Sequence, residues 1–268
     1  AAAWRPPPHR MRELFPMTEA AAARNADPDA VFVITGASGG IGAAMVEHLA
    51  TRVRGTVIAG ARDPSKAPRP TDRVKSLKVD LSDDASLATF AEAVGPRCDV
   101  LVNCVGLLHD ADRGPERSLD AVDRDWLLTN FDVNCAGPLL ATRALRKALD
   151  AGRKGPRPPS VVASLSARVG SLSDNGLGGW YSYRASKAAL HMATINCAIE
   201  LKRQRTICVA LHPGTTDTAL SLPFQARVNP EKLFPAEFSA GQLLDVVNGL
   251  TEEHSGGVFD WAGERIEY

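Results

Sequence analysis

A tyrosine and a lysine, Tyr183 and Lys187, lie four residues apart in the segment WYSYRASKAAL, which starts at Trp180. On a helix this spacing brings both side chains to one face. The ordinary pKa of tyrosine is about 10, and a nearby ammonium group favours the phenolate and lowers that pKa toward neutral pH. The pair therefore predicts an acid–base catalyst, although the same two residues are also common as a surface contact.

A second group of residues is rich in glycine and follows a short apolar strand. The strand VFVIT at 31–35 runs directly into the turn GASGGIG. We expect Gly36 to allow a tight turn, Gly40 to let the backbone approach a phosphate, and Gly42 to let the next helix pack on the strand. Such a turn places free N–H groups of a helix N-terminus beside a dinucleotide pyrophosphate. Taken alone, it also fits a plain strand-to-helix connection.

The elements that hold these residues alternate between apolar strands and helical stretches. Strands are predicted at 31–35, 56–61, 74–79, 100–103, 160–165, 206–211 and 257–261. Helices are predicted at 41–52, 87–94, 126–149, 183–202 and 236–250. The alternation predicts a single α/β domain of the Rossmann type, with one doubly wound sheet of seven parallel strands and the ligand at their carboxyl ends.

Charge and cysteine usage exclude several classes of partner. The 31 basic and 31 acidic residues balance, so no broad field would recruit nucleic acid or an anionic membrane. The five cysteines have neither a CxxC pair nor metal-ligand spacing, which predicts reduced thiols, no metal site and a cytoplasmic location. No apolar stretch approaches the roughly 20 residues that span a bilayer. We therefore expect a soluble protein whose partners are recognised locally rather than through a broad electrostatic field.

The first thirty residues differ in composition from the rest. Pro6, Pro7 and Pro8 stand among arginines that precede any acidic residue. We expect 1–30 to be a disordered extension and the dinucleotide-binding domain to span 31–268. An Arg-rich, acid-poor segment also fits the remnant of a transit peptide, which would place the protein in an organelle stroma or matrix.

Several segments together resemble the short-chain dehydrogenase/reductase family. They are Thr35–Gly42, Asn103–Gly106, Asn134, Tyr183–Lys187 and Pro213–Gly214. Their order and spacing resemble that family from about residue 31 to the C-terminus. The segments Leu108–Glu116 and Gly178–Arg184 are similar to its C-factor and sniffer-like carbonyl reductase branch.

The resemblance implies a role for each residue of the acid–base group. Tyr183 would donate a proton to a carbonyl, Lys187 would bind the cofactor ribose and lower the tyrosine pKa, and Asn134 would hold a relay water. A serine would polarise the carbonyl, but Ala167 stands at its expected place. Ser166 and Ser171 are the two candidates. Ser171 is narrowly preferred because it is nearer to Tyr183 in sequence.

The resemblance also implies a nicotinamide dinucleotide, and charge selects its form. Arg62 ends the second strand, where an arginine pairs with the 2′-phosphate of NADP(H) and an acidic residue selects NAD(H). We expect NADP(H) to be preferred and NAD(H) to be accepted, although Arg62 also fits a solvated loop residue. The other implied contacts are Gly36, Ser38, Gly39, Gly40, Ile41, Gly42, Asp80, Leu81, Asn103, Gly106, Tyr183, Lys187, Pro213, Gly214, Thr216 and Thr218.

The sequence thus predicts an NADPH-dependent reductase of a small aldehyde, ketone or quinone. Two alternatives stay open: a dinucleotide-binding sensor without turnover, suggested by the displaced serine, and a nucleotide-sugar epimerase, for which the chain after Pro213 is short.

The expected substrate pocket is mainly apolar, and its lining residues are Leu107, Leu108, Leu177, Trp180, Leu220 and Phe224.

The resemblance further implies a homodimer or homotetramer that forms through the helices 126–149 and 183–202. The apolar residues expected at this contact are Leu139, Leu140, Ala189, Met192 and Ala193. The same residues also fit the core of a monomer.

Overall fold

Nine strands are present in the computed structural model, which describes residues 15–152 and 155–268. They are β1 (Val31–Thr35), β2 (Thr56–Ala61), β3 (Val74–Lys78), β4 (Val100–Asn103), β5 (Ser160–Leu165), β6 (Thr206–His212), β7 (Thr215–Thr216), β8 (Leu233–Phe234) and β9 (Val258–Asp260). Strands β7 and β8 pair only with each other among the described residues. The other seven form one parallel sheet in the order β3-β2-β1-β4-β5-β6-β9, which confirms the predicted sheet.

Seven α-helices cover this sheet within the described part of the chain. They are α1 (Glu19–Ala26), α2 (Gly40–Arg52), α3 (Asp84–Val94), α4 (Arg124–Phe131), α5 (Gly137–Leu149), α6 (Tyr181–Leu201) and α7 (Ala236–Gly249). Successive strand residues point to opposite faces, so Phe32 and Ile34 pack with α2 and α7 while Val33 packs with α3, α5 and α6. Burial of both faces accounts for the nearly continuous apolar strands.

The strand order reverses between β1 and β4, which lie side by side at the centre of the sheet. Thr35 at the end of β1 is paired in register with Asn103 at the end of β4. The connections that leave these two strands turn to opposite sides of the sheet, and they open a crevice at the carboxyl ends. The glycine-rich turn after β1 and Gly106 after β4 both border this crevice.

The predicted helix 126–149 is wrong in one respect, because the structure divides it. Helices α4 and α5 are separated by the π-helical turn Asp132–Ala136. Helix α5 opens with Gly137 and Pro138, and proline has no N–H with which to continue the α-helical ladder. Single π-helical turns inside helices are frequent at functional sites.

The expectation that residues 1–30 lie outside the core is corrected for the residues the structure describes. Phe15 and Ala30 belong to the buried apolar cluster, and α1 packs beside α7. The buried guanidinium of Arg24 donates a hydrogen bond of 3.2 Å to the carbonyl oxygen of Pro159. Apolar burial therefore begins well before β1, while residues 1–14 lie outside the described residues.

Two of the apolar side chains expected at an oligomer contact are exposed. Leu139 on α5 and Met192 on α6 are 39% and 59% exposed, whereas Ala189 and Ala193 are half-buried. The homo-oligomer stays a prediction.

Among the described helices none is both long and apolar enough to cross a membrane.

Candidate active site

The glycine-rich turn is closely packed on one side and open on the other. Gly36 has a φ of +74°, and a Cβ there would lie 2.9 Å from the carbonyl carbon of Cys104. A Cβ at Gly42 would lie 2.3 Å from the oxygen of Gly36, so both positions require glycine. A Cβ at Gly39 would meet nothing described within 4 Å. The turn therefore presents bare backbone to open space, and this shape fits a dinucleotide pyrophosphate.

A cleft of about 480 Å³ extends from this turn across the carboxyl ends of the central strands. Helix α2 begins at its edge, and the N-cap residue Gly39 has no side chain, so first-turn N–H groups remain available for an anion. The predicted site residues that line the cleft are Gly36, Ser38, Gly39, Gly40, Ile41, Arg62, Gly106, Ser166, Tyr183, Lys187, Pro213 and Thr218. The glycine-rich turn and the Tyr183–Lys187 pair thus share one continuous space.

Tyr183 and Lys187 reach the cleft from the start of α6, and both side chains are buried. The Lys187 Nζ atom lies 5.7 Å from the centre of the Tyr183 ring. It donates a hydrogen bond of 2.8 Å to the carbonyl oxygen of Leu165, the last residue of β5. Helix α6, which carries Lys187, and the end of β5, which accepts its hydrogen bond, therefore hold the ammonium group in position.

Burial dominates the ionisation of this pair. It raises the pKa of Tyr183 and lowers the pKa of Lys187 to about 8. The direction for Tyr183 is opposite to the one expected from the nearby ammonium, because burial disfavours the charged phenolate. Tyr183 therefore holds its proton at neutral pH, and Lys187 titrates close to that range.

Asn134 lies in the π-helical turn and binds the segment that follows β4. Its Oδ1 accepts a hydrogen bond of 2.8 Å from the N–H of Leu107, and its Nδ2 donates one of 2.8 Å to the oxygen of the same residue. The amide also contacts the Ser186 hydroxyl on α6 at 3.1 Å. Asn134 thus ties the β4 segment to the helix that carries Tyr183.

The structure brings Ser166, and not Ser171, to the cleft. Ser166 directly follows β5 and lines the cleft, with its Oγ 2.8 Å from Nε2 of His191. Ser171 lies beyond a short turn, where its Oγ accepts a hydrogen bond from the N–H of Asp174 and contacts the Ser173 hydroxyl. The preference for Ser171 drawn from sequence distance is therefore not matched by its position, since it lies after the turn at 168–170 and does not line the cleft; which serine is catalytic stays a prediction.

Arg62 is exposed at the end of β2 and lines the cleft on the side of the glycine-rich turn. Asp80 follows the next strand and does not line the cleft; its carboxylate accepts a hydrogen bond of 2.7 Å from the Ser82 hydroxyl. That hydrogen bond, aided by the charge of Arg62, lowers the pKa of Asp80. Arg62 is thus a cation at the rim of the cleft.

Other predicted cofactor contacts do not line the cleft. The buried Asn103 accepts a hydrogen bond of 3.1 Å from the Thr35 hydroxyl. The hydroxyl of Thr216 lies 2.8 Å from that of Ser239 on α7. The remaining predicted contacts outside the lining are Gly42, Leu81 and Gly214.

A larger cavity of about 910 Å³ adjoins the cleft at His109. Two loops, 109–117 and 223–228, form most of its wall. The rings of Trp180 and Phe224 lie 5.3 Å apart there, and the Trp180 ring is 6.2 Å from that of Tyr183. Trp180 therefore lies both on the wall of this cavity and beside Tyr183.

The predicted apolar pocket is correct in part. Leu107 and Leu220 line the cleft, and Trp180 and Phe224 line the larger cavity. The residues that line neither are Leu108, which is buried, and Leu177, which is 94% exposed. Leu177 lies in the glycine-rich stretch before α6, which carries it into solvent.

Two buried polar side chains beside the cleft were not predicted from the sequence. The buried carboxylate of Glu116 accepts hydrogen bonds from the N–H and the hydroxyl of Ser182, in the first turn of α6. His191 lies beside Ser166. It follows Lys187 by four residues, just as Lys187 follows Tyr183 by four. The helical spacing could have identified His191, whereas the contact of Glu116 depends on how a loop folds back.

A doubly wound sheet whose glycine-rich turn shares a cleft with a Tyr–Lys pair is typical of nicotinamide dinucleotide-dependent oxidoreductases. The family model described as short chain dehydrogenase matches residues 30–228. The chain therefore belongs to the short-chain dehydrogenase/reductase family, as its sequence motifs predicted.

Individual relatives agree with this assignment. C-signal of Myxococcus xanthus is 35% identical over 170 residues, which are 63% of this chain and 92% of that protein. The carbonyl reductase Sniffer of D. melanogaster has a TM-score of 0.79 at 22% identity, over 90% of this chain and 100% of that chain. An NADPH-bound carbonyl reductase from chicken fatty liver has a TM-score of 0.79 at 25% identity, over 95% and 99%. The predicted similarity to the C-factor and sniffer-like branch is confirmed.

Proposed function

We propose that the protein reduces a small aldehyde, ketone or quinone with NADPH. The observation that carries this proposal is the convergence of Arg62, Ser166, Tyr183 and Lys187 on one cleft with the glycine-rich turn. Arg62 supports NADPH over NADH because a guanidinium pairs with the 2′-phosphate. The carbonyl reductase from chicken fatty liver, described as NADPH-bound, supports the same cofactor and reaction class.

Each side chain of the cleft has a distinct task in this reaction. NADPH, when bound, supplies the hydride to the carbonyl carbon. Tyr183 donates its phenolic proton to the carbonyl oxygen, and burial keeps that proton in place until it is needed. The Ser166 hydroxyl donates a hydrogen bond to the same oxygen and polarises the carbonyl. The ammonium of Lys187 stabilises the phenolate left on Tyr183.

The aromatic wall indicates the character of the substrate. Leu220 and Phe224 pack against the cluster that contains Tyr183, and Trp180 faces the same ring. Apolar walls exclude water and favour an apolar body next to the carbonyl group. We therefore expect aromatic and aliphatic carbonyl compounds to be reduced in preference to highly polar ones.

The test is NADPH consumption by the purified protein over a panel of aldehydes, ketones and quinones. Tyr183→Phe removes one hydroxyl and should lower kcat by about a hundredfold to ten-thousandfold, with the Kd for NADPH nearly unchanged. Tyr181→Phe is the matched control, because Tyr181 is exposed, lies two residues before Tyr183 on the same helix and does not line the cleft. Near-normal turnover of Tyr183→Phe would refute the proposal.

The sensor alternative arose from the displaced serine, and the position of Ser166 in the cleft supports turnover over that alternative. The same assay separates the two functions. A protein that binds NADPH tightly and consumes none with any compound of the panel would be a sensor.

A further inference from the structure

His191 lies directly behind the cleft and is not a member of the acid–base group described above. Tyr183, Lys187 and His191 follow one another at four-residue intervals on α6, so all three point to the same side of the helix. His191 is buried, and its Nε2 lies 2.8 Å from Oγ of the buried Ser166. This is an ordinary hydrogen-bond distance.

The surrounding backbone holds the imidazole ring in place. A Cβ at Gly170 would lie 2.8 Å from Cβ of Lys187 and 3.0 Å from Cε1 of His191. The turn at 168–170 therefore rests directly on α6, and a side chain at Gly170 would displace the ring. The Tyr268 ring closes another side, with its centre 6.4 Å from that of the imidazole.

The ring is neutral at physiological pH. Burial, and after it the charge of Lys187, lowers the pKa of His191 to about 4. A neutral imidazole carries one N–H, so Nε2 either donates to Ser166 or accepts from it. The choice determines where the single hydroxyl proton of Ser166 points.

The two arrangements have opposite consequences for Ser166. If Nε2 accepts, the hydroxyl proton is held against His191 and is withheld from the cleft. If Nε2 carries the hydrogen and donates it, the oxygen of Ser166 is fixed as an acceptor on that side. The hydroxyl proton then turns toward the cleft, where Tyr183 and Lys187 also lie.

We propose that His191 is a positioning residue that donates from Nε2 to Oγ of Ser166 and so aims the hydroxyl proton of Ser166 at the substrate carbonyl. The proposal rests on the proposed carbonyl reduction for its kinetic consequence. Two observations carry the proposal itself: the 2.8 Å distance between Nε2 of His191 and Oγ of Ser166, and the close packing of Gly170 against the imidazole ring. No proton is transferred to or from His191.

The kinetic test is a double-mutant cycle with NADPH and an aldehyde that the protein reduces. His191→Leu should lower kcat about tenfold to a hundredfold and leave the Kd for NADPH unchanged, because an oriented donor is lost and the cofactor turn is untouched. His191→Gln keeps an N–H donor near Nε2 and should restore most of that loss. In a Ser166→Ala background, His191→Leu should cause almost no further loss. Losses that multiply in the double variant, or a wild-type kcat for His191→Leu, would overturn the proposal.

A second measurement does not depend on turnover. Nitrogen-15 NMR of the labelled full chain distinguishes the two imidazole tautomers, and the signal missing from His191→Gln identifies His191. We expect a hydrogen on Nε2 and a neutral ring down to about pH 5. A hydrogen on Nδ1 would overturn the positioning role even if the protein reduces carbonyl compounds. A protein that shows the Nε2 tautomer but never consumes NADPH would instead refute the proposed function.

Discussion

Lys187 is expected to set the alkaline limit of the reaction. Burial lowers its pKa to about 8, so its positive charge is present below that pH and is lost as the pH rises through it. Without this charge the phenolate formed on Tyr183 is less stabilised. We expect kcat/KM for reduction to be level between about pH 6 and 7.5 and to fall about tenfold per unit above about pH 8. A pH profile that stays level to about pH 10 would contradict this assignment.

The predicted preference for NADPH over NADH rests on one side chain, that of Arg62. If it pairs with the 2′-phosphate, NADPH should bind about tenfold to a hundredfold more tightly than NADH, which is about 1.5–3 kcal/mol. Arg62→Ala should remove most of this difference and leave the Kd for NADH unchanged, as measured by titration. Arg69→Ala serves as control, because Arg69 is also exposed but does not line the cleft. Equal affinity of the wild type for both cofactors would show that Arg62 is an ordinary solvated residue.

At the scale of elements, the start of α6 depends on a loop that is distant in sequence. The Glu116 carboxylate accepts from the N–H of Ser182 at 3.2 Å, and its backbone oxygen accepts from the N–H of Trp180 at 2.6 Å. A carboxylate at a helix N-terminus satisfies a free N–H and interacts favourably with the helix dipole. Trp180 precedes the helix in the left-handed conformation, with φ 53°. Glu116 thereby joins the wall of the larger cavity to the helix of Tyr183.

Glu116→Ala should both destabilise the protein and loosen this wall. We expect the free energy of unfolding to fall by about 1–2 kcal/mol, and KM for the carbonyl substrate to rise while the Kd for NADPH is unchanged. Denaturant unfolding and steady-state kinetics measure the two effects. Asp120→Asn, at an exposed position in the same loop region, should change neither. If both variants behave alike, the contact between Glu116 and α6 has no such role.

The regular elements of the central sheet were predictable because local sequence determines them. Strands β1, β2, β4 and β5 have the predicted bounds, since their apolar runs are flanked by breakers. Helix α3 begins three residues before its predicted start, because Asp83 caps it by accepting from the N–H groups of Ala85 and Ser86. The division of α4 from α5 and the position of Ser166, rather than Ser171, in the cleft were not predictable. Both depend on how the chain turns after an element, and sequence distance does not report that.

At the scale of the whole molecule, residues ahead of the first strand complete the core. Phe15 packs edge-on against Phe259 of β9, with ring centres 5.5 Å apart, and lies 4.9 Å from the ring of His254. A Cβ at Gly249 would lie 2.7 Å from Cβ of Phe15, and one at Gly263 would lie 2.4 Å from its Cδ2. Composition did not predict this contact, because a start rich in proline and arginine is typical of a disordered segment and gives no sign of one well-packed aromatic ring. The glycines that receive the ring are more than 200 residues away.

Phe15→Ala should therefore lower the free energy of unfolding by about 3–5 kcal/mol, the usual cost of emptying a buried aromatic site. Met17→Ala, two residues further along, is the matched control, because Met17 is 58% exposed and should contribute close to nothing. Because Phe15 does not line the cleft, the Phe15→Ala protein that remains folded should keep the wild-type Kd for NADPH. Denaturant unfolding of the two variants, with cofactor titration under native conditions, measures both expectations. Equal stability of Phe15→Ala and Met17→Ala would show that the segment before α1 lies on the core without stabilising it.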